Sequence, residues 1–171
     1  MLTYLNDLTT AIKATSWVKL EGLSNELKRQ RAEGRRVFVC GNGGSYAVAT
    51  HWGVDLAKVG RLEIHTLGTN MAYLTAYAND VGYEVGLSTE LSLRARPGDL
   101  VVALSCSGRS RNIVAVLGEA KKLQLAIYMI TGSLAPVFDG VREIRIASND
   151  YGILEDVFSA IGHWLTRELA T

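Results

Sequence analysis

The sequence predicts an α/β protein, with a three-layer αβα arrangement around a five-stranded parallel sheet and helices ahead of the first strand. Five short apolar runs alternate with stretches of helical periodicity, at 37–40, 64–67, 100–104, 125–130 and 144–146. Most of them are separated by enough sequence for the crossover helix that parallel neighbours require. The runs at 37–40, 100–104 and 125–130 are almost wholly apolar, which is typical of strands covered on both faces.

Residues 2–33 carry leucine and isoleucine at intervals of three and four residues, with charged residues between them. This spacing predicts two amphipathic N-terminal helices, and a further helix is predicted over 153–169. A chain of 171 residues, 48% of them hydrophobic, can bury one good core. We therefore expect a single domain over 1–171, made of the helices of 1–33 and an α/β core over 36–171.

The charge balance argues against a polyanionic partner. There are 18 basic and 17 acidic residues, and no run of like charge. We expect neither nucleic acid nor a membrane surface as partner, but a small molecule. The N-terminus does not resemble a secretion signal and no apolar run reaches the roughly 18 residues of a membrane span, so a cytoplasmic protein is expected. Cys40 and Cys106 lack the spacing of a disulfide framework or a zinc finger.

Two glycine- and serine-rich turns follow predicted strands. CGNGGS at 40–45 closes the first strand and SCSGRS at 105–110 closes the third. Ligands of open α/β sheets bind beyond the carboxyl ends of the strands, so both turns should face one cleft. Serine hydroxyls, free N–H groups and a helix N-terminus favour a phosphate at 105–110. Taken alone, that turn is equally consistent with a serine-capped helix. It matches neither a P-loop nor a dinucleotide fingerprint, and no organic cofactor is expected.

His51 and Asp55 lie four residues apart in the helix predicted after the first turn, so their side chains share one face. A pair of this kind can be a plain surface ion pair. Beside a glycine turn that faces a ligand cleft, we interpret it as part of a site.

CGNGGS at 40–45, the His51–Asp55 pair, AND at 78–80 and LSCSGRS at 104–110 together resemble the sugar isomerase (SIS) domain family, and within it the phosphoheptose isomerases. The resemblance covers about residues 37–165. It implies a flavodoxin-like sheet and an aldose–ketose isomerase that acts on sedoheptulose 7-phosphate through an enediol. It also implies a homo-oligomer, typically a tetramer with active sites at subunit contacts, in which the N-terminal helices supply much of the packing.

The resemblance also implies which residues bind the phosphosugar. Those expected to line the pocket are Asn42, Gly43, Gly44, Ser45, Asn79, Asp80 and Glu155, and those expected to bind the phosphate are Ser105, Cys106, Ser107 and Ser110. Cys106 stands where threonine is common in the family, which removes a hydroxyl but keeps the backbone N–H.

An aldose–ketose isomerisation needs a base near two adjacent carbons, an acid for their oxygens and stabilisation of developing negative charge. By the resemblance, Glu155 and His163 join His51 and Asp55 in a quartet suited to zinc, which would polarise the carbonyl. Asp55 is the candidate base, and His163 is the candidate acid or second base.

Two other functions are consistent with the sequence. One is a non-catalytic phosphosugar-binding module, as in the replication-initiation regulators of the same fold. Those regulators share the two turns but generally lack the acid and the C-terminal histidine, which this chain retains as Asp55 and His163. The other is an isomerase of a different sugar phosphate, and the sequence leaves it open.

Overall fold

The computed structural model describes residues 1–170 and contains twelve helices and strands over that range. In chain order they are α1 (Leu2–Ala14), α2 (Trp17–Ala32), β1 (Arg36–Cys40), α3 (Gly43–Lys58), β2 (Glu63–Thr66), α4 (Met71–Asp80), α5 (Tyr83–Arg94), β3 (Leu100–Ser105), α6 (Arg111–Lys122), β4 (Ala126–Gly132), β5 (Arg142–Ile146) and α7 (Tyr151–Leu169). All five predicted strands and both N-terminal helices are present, within about two residues of the predicted bounds. No helix within residues 1–170 has the length and apolar character needed to cross a membrane.

The five strands form one parallel sheet in the order β2-β1-β3-β4-β5. This is the flavodoxin-like order, in which ligands bind where the strand order reverses, between β1 and β3. Cys40 at the end of β1 lies beside Ala103 near the end of β3. The turns that follow the two strands are therefore neighbours, although more than sixty residues separate them in sequence.

Side chains alternate between the two faces of the sheet, as the two-residue repeat of a strand requires. In β1, Val37 and Val39 join one buried cluster with α2, α3 and α7, whereas Phe38 and Cys40 join a second cluster with α5 and α6. Both faces are thus covered by helices. This explains why the central strand β3 is buried along its whole length and lacks alternating polar residues.

Helices α3 and α7 approach each other closely at Trp52 and Gly162. The Trp52 indole is 1% exposed, and its Nε1 donates a hydrogen bond to the Phe158 carbonyl oxygen at 3.0 Å. A Cβ on Gly162 would lie 2.1 Å from that nitrogen, so only glycine fits this crossing. His51 and His163 are the sequence neighbours of these two residues, and the crossing brings them together.

Candidate active site

A cavity of about 230 Å³ lies beyond the carboxyl ends of β1 and β3. Both predicted turns line it, and the first turns of α7 close its third side. The lining residues are Asn42, Gly43, Gly44, Ser45, Leu104, Ser105, Cys106, Ser107, Ser110, Tyr151 and Glu155. Most of the residues that the sequence assigned to sugar and phosphate binding therefore share one cavity.

The serine turn presents polar groups to this cavity. Ser110 is the N-cap of α6 but makes no side-chain capping bond, and Ser107 Oγ accepts a hydrogen bond from the Arg109 N–H at 3.1 Å. The N-terminal end of α6 carries partial positive charge and backbone N–H groups that lack helical acceptors. A phosphate group suits this arrangement.

The Asn42 side chain ties the two turns together. It exchanges a pair of hydrogen bonds with the Asn112 amide, each 2.8 Å long, and it accepts a third from the Tyr83 hydroxyl at 3.0 Å. Although Asn42 is the N-cap of α3, its side chain does not cap that helix. It serves instead to hold the start of α3 against α6.

A short chain of polar contacts crosses the cavity wall at Ser45. The Ser45 hydroxyl is buried, donates to Glu155 Oε1 at 3.1 Å and lies 3.5 Å from the Cys106 sulfur. Burial raises the pKa of the Cys106 thiol, and the Glu155 carboxylate raises it further. Cys106 therefore stays neutral at pH 7 and is not a thiolate nucleophile.

Farther along α3 and α7, about 12 Å of helix rise from the cavity-lining Gly43 and Glu155, two histidines and an aspartate converge. His51 Nε2 lies 3.0 Å from His163 Nε2 and 3.4 Å from Asp55 Oδ2, and one ligand atom from each of the three residues lies within 4.8 Å of the others. Imidazole nitrogen and carboxylate oxygen are ordinary zinc ligands. The three groups can hold a divalent metal ion, and they can also exchange protons.

Glu155 does not join the other three members of the predicted zinc quartet. The structure places its carboxylate in the cavity wall, where it contacts Ser45. The reason is the geometry of α7. Eight helical residues separate Glu155 from His163, which corresponds to about 12 Å of rise. The group in this structure that could hold a metal ion is therefore His51, Asp55 and His163.

Asn79 and Asp80, which were also predicted to line the phosphosugar pocket, lie outside the cavity. Both are exposed at the C-terminal end of α4, where the Asn79 amide donates to Asp80 Oδ1 at 2.9 Å, and neither lines the cavity. Because α4 ends at Asp80, the chain turns into α5 there, and the residue that reaches the site turns is Tyr83.

Sequence reasoning missed four residues at the site. Leu104 and Tyr151 line the cavity, and Asn112 and Tyr83 position Asn42. A signal existed for Tyr151, since Asp150 is a typical N-cap and its carboxylate accepts from the Ile153 N–H at the start of α7. Asn112 had no such signal, because its partner is seventy residues away in sequence.

A parallel sheet with two glycine- and serine-rich turns around one cavity, and a histidine–carboxylate group on α3 and α7, is the arrangement of an SIS domain. The SIS domain model matches residues 2–132 of the chain. The matched region includes α1 and α2, which the sequence analysis had placed outside the resemblance.

Phosphoheptose isomerases are among the most similar curated proteins. The one from Maridesulfovibrio salexigens is 32% identical over 150 residues, which is 82% of this chain and 72% of the relative. The one from Rhodospirillum rubrum is 36% identical over 141 residues, which is 77% of this chain and 74% of the relative. The chain belongs to the SIS domain family and, within it, to the phosphoheptose isomerases, which are aldose–ketose isomerases.

The fold agrees with this assignment. A solved phosphoheptose isomerase from Francisella tularensis superimposes with a TM-score of 0.89 at 22% identity, over 98% of this chain and 92% of that one. The SIS-type fold and the five-stranded parallel sheet predicted from the sequence are confirmed.

Proposed function

We propose that this protein interconverts sedoheptulose 7-phosphate and D-glycero-D-manno-heptose 7-phosphate through an enediol. One observation carries the proposal: a chain 32% to 36% identical to proteins called phosphoheptose isomerase has both a cavity with an anion-accepting turn and, farther along α3 and α7, an acid–base group. The cavity suits the phosphorylated end of a sugar, and the imidazole and carboxylate groups of His51, Asp55 and His163 suit its reacting end.

In this proposal the phosphate binds at the N-terminus of α6, with Ser105, Ser107, Ser110 and the Cys106 backbone N–H around it. Residues 42–45 form the opposite wall, along which the sugar chain extends. The support is the shared lining of one cavity by both turns. Charge-assisted hydrogen bonds from hydroxyl and N–H groups are strong enough to hold a phosphate without a lysine or arginine.

Asp55 is the proposed base and His163 the proposed acid. The base removes a proton from C1 of the ketose as the acid protonates the oxygen on C2, which gives the enediol. The O1 hydroxyl then loses its proton while C2 receives one, so that C1 becomes the aldehyde. His51 contacts both the base and the acid: its Nε2 lies 3.4 Å from Asp55 Oδ2 and 3.0 Å from His163 Nε2.

His51, Asp55 and His163 would also hold a zinc ion, and their convergent nitrogen and oxygen donors fit that ion. When bound, the metal polarises the substrate carbonyl. Asp55 would then serve both as a ligand of the ion and as the base.

We further propose a cytoplasmic homo-oligomer, a tetramer with active sites at subunit contacts. The N-terminal helices carry strongly exposed apolar residues, including Leu2 at 78% and Val18 at 77%. The His51 side chain, at 49% exposure, would gain the shielding from water that a proton-transfer site needs. Light scattering should give a four-chain mass, which Val18→Glu should reduce. The matched control Val137→Glu, at an exposed loop, should leave the mass unchanged.

The experiment that tests the proposed reaction is incubation of zinc-loaded protein with sedoheptulose 7-phosphate, followed by NMR. We expect the C1 aldose signal to grow, and unphosphorylated sedoheptulose to remain unconverted at the same concentration. No conversion, with phosphosugar binding intact, would favour either the regulatory class or an isomerase of another sugar phosphate. Activity assays with a panel of hexose and pentose phosphates would distinguish these two alternatives, because only an isomerase of another sugar phosphate would convert one of them.

A further inference from the structure

Glu155 is the one acidic residue among those that line the cavity, and no lysine or arginine lines it within residues 1–170. A carboxylate in the wall of a phosphate-binding cavity repels a phosphate that comes close to it. The position of Glu155 therefore needs a functional explanation.

Three helix N-termini open into this cavity, those of α3, α6 and α7. Glu155 already lies at the first of them. Its Oε1 accepts from the Ser45 hydroxyl, and a Cβ on Gly44 would lie 2.0 Å from its Oε2. Because Gly44 has no side chain, the Glu155 carboxylate can pack against the first turn of α3. A negative charge there is favourable, because it faces the positive end of the helix.

The N-terminus of α6 has no such internal anion. Its cap residue, Ser110, makes no capping bond, and the residues there that line the cavity contribute hydroxyl groups and neutral backbone. Arg109 and Arg111 flank Ser110 but are exposed and do not line the cavity. The N-termini of α3 and α6 thus differ in charge: a carboxylate lies against the start of α3, and none of the cavity-lining residues at the start of α6 is acidic.

We propose that Glu155 is a specificity-determining residue that restricts phosphate to the serine turn and makes the cavity selective for sugars that carry a single phosphate over bisphosphates. This inference rests on the proposed function and deepens it. A second phosphate at the α3 end would face the Glu155 carboxylate in a partly desolvated space, where like charges repel strongly. Sugar hydroxyls at the same end instead donate hydrogen bonds to it.

The test uses two ligands that cannot react. Borohydride reduction of sedoheptulose 7-phosphate and of sedoheptulose 1,7-bisphosphate gives alditols without a carbonyl, so their binding can be measured by calorimetry without turnover. The proteins compared are the full-length wild type, Glu155→Gln, Glu155→Asp and the matched control Glu21→Gln. Glu21 is exposed on α2 and does not line the cavity.

In the wild type, the monophosphate should bind more tightly than the bisphosphate. Glu155→Gln should improve bisphosphate binding relative to monophosphate by roughly tenfold or more, the scale of one removed unit charge at close range. Glu155→Asp keeps the charge and should keep most of the discrimination, and Glu21→Gln should match the wild type. An unchanged ratio in Glu155→Gln, together with unchanged metal content and melting temperature, would overturn the inference and leave the proposed function standing. If the wild type bound neither alditol and did not convert sedoheptulose 7-phosphate, both the inference about Glu155 and the proposed function would be wrong.

Discussion

The Trp52 indole occupies the space that any side chain on Gly162 would need, with 2.1 Å between the indole nitrogen and the position of a Cβ. This contact sets how closely α3 and α7 cross. Since His51 precedes Trp52 and His163 follows Gly162, the same crossing fixes the 3.0 Å contact between the two imidazoles. Core packing and the proposed chemistry thus depend on one close approach.

Gly162→Ala should therefore disturb both stability and activity. The added methyl group cannot fit without displacing Trp52, whose Nε1 would lose its bond to the Phe158 carbonyl. We expect a loss of about 1 to 3 kcal/mol in the free energy of unfolding, as for overpacked cores. Chemical denaturation measures this loss, and turnover should fall with it as His51 and His163 separate.

The matched control is Gly118→Ala in the middle of α6, where an added Cβ would have no heavy atom within 4 Å. Replacement of an exposed helical glycine by alanine should stabilise the protein by about 0.5 to 1 kcal/mol. If both variants behaved alike, the Trp52–Gly162 crossing would not be the constraint described above.

Metal binding should depend on three residues. We expect His51→Ala and His163→Ala to lose most of their zinc on dialysis, because each removes one of the convergent ligands. Glu155→Gln should keep its zinc, since the Glu155 carboxylate contacts Ser45 instead. Elemental analysis of the dialysed proteins measures this, with His65→Ala as the histidine control. If Glu155→Gln lost as much zinc as His163→Ala, Glu155 would be a fourth zinc ligand, as the sequence predicted.

The serine turn should contribute affinity for the phosphate. Ser107→Ala combined with Ser110→Ala removes two hydroxyls from the cavity wall. The affinity for sedoheptulose 7-phosphate should fall by about 1 to 3 kcal/mol, the loss of hydrogen bonds to a charged group. Calorimetry measures it against Ser92→Ala, whose exposed hydroxyl bonds within its own helix α5. Unchanged affinity in the double variant would place the phosphate elsewhere.

Most of the fold could be predicted from the sequence because each element has a local signal. Apolar runs such as 100–104 are long enough and pure enough to indicate buried strands, and the three- and four-residue spacing of leucine in 2–33 indicates helices. The meeting of the two turns could also be predicted, since parallel strands end at the same edge of a sheet.

The contacts within the site could not all be predicted, because many of them join residues that are far apart in the sequence. His51 and Asp55 could be paired because they lie one helical turn apart, whereas the contact of His163 with them depends on the Trp52–Gly162 crossing. The family resemblance places Glu155 with the metal ligands, whereas the rise of α7 over eight residues separates its carboxylate from His163 in the folded chain. The bond between Asn42 and Asn112 joins different elements and could be found only in three dimensions.

The central claim, that Asp55 moves a proton between adjacent carbons of sedoheptulose 7-phosphate, is tested most directly by the reaction in D₂O. NMR would follow deuterium at C1 of the ketose and C2 of the aldose, with Asp7→Asn, at an exposed position on α1, as the control. We expect the wild type and Asp7→Asn to convert the sugar and label it at these carbons. Asp55→Asn should do so at least about 10²-fold more slowly, since general-base catalysis contributes on that scale, while still binding the phosphosugar. Conversion and labelling by Asp55→Asn at the wild-type rate would contradict the account.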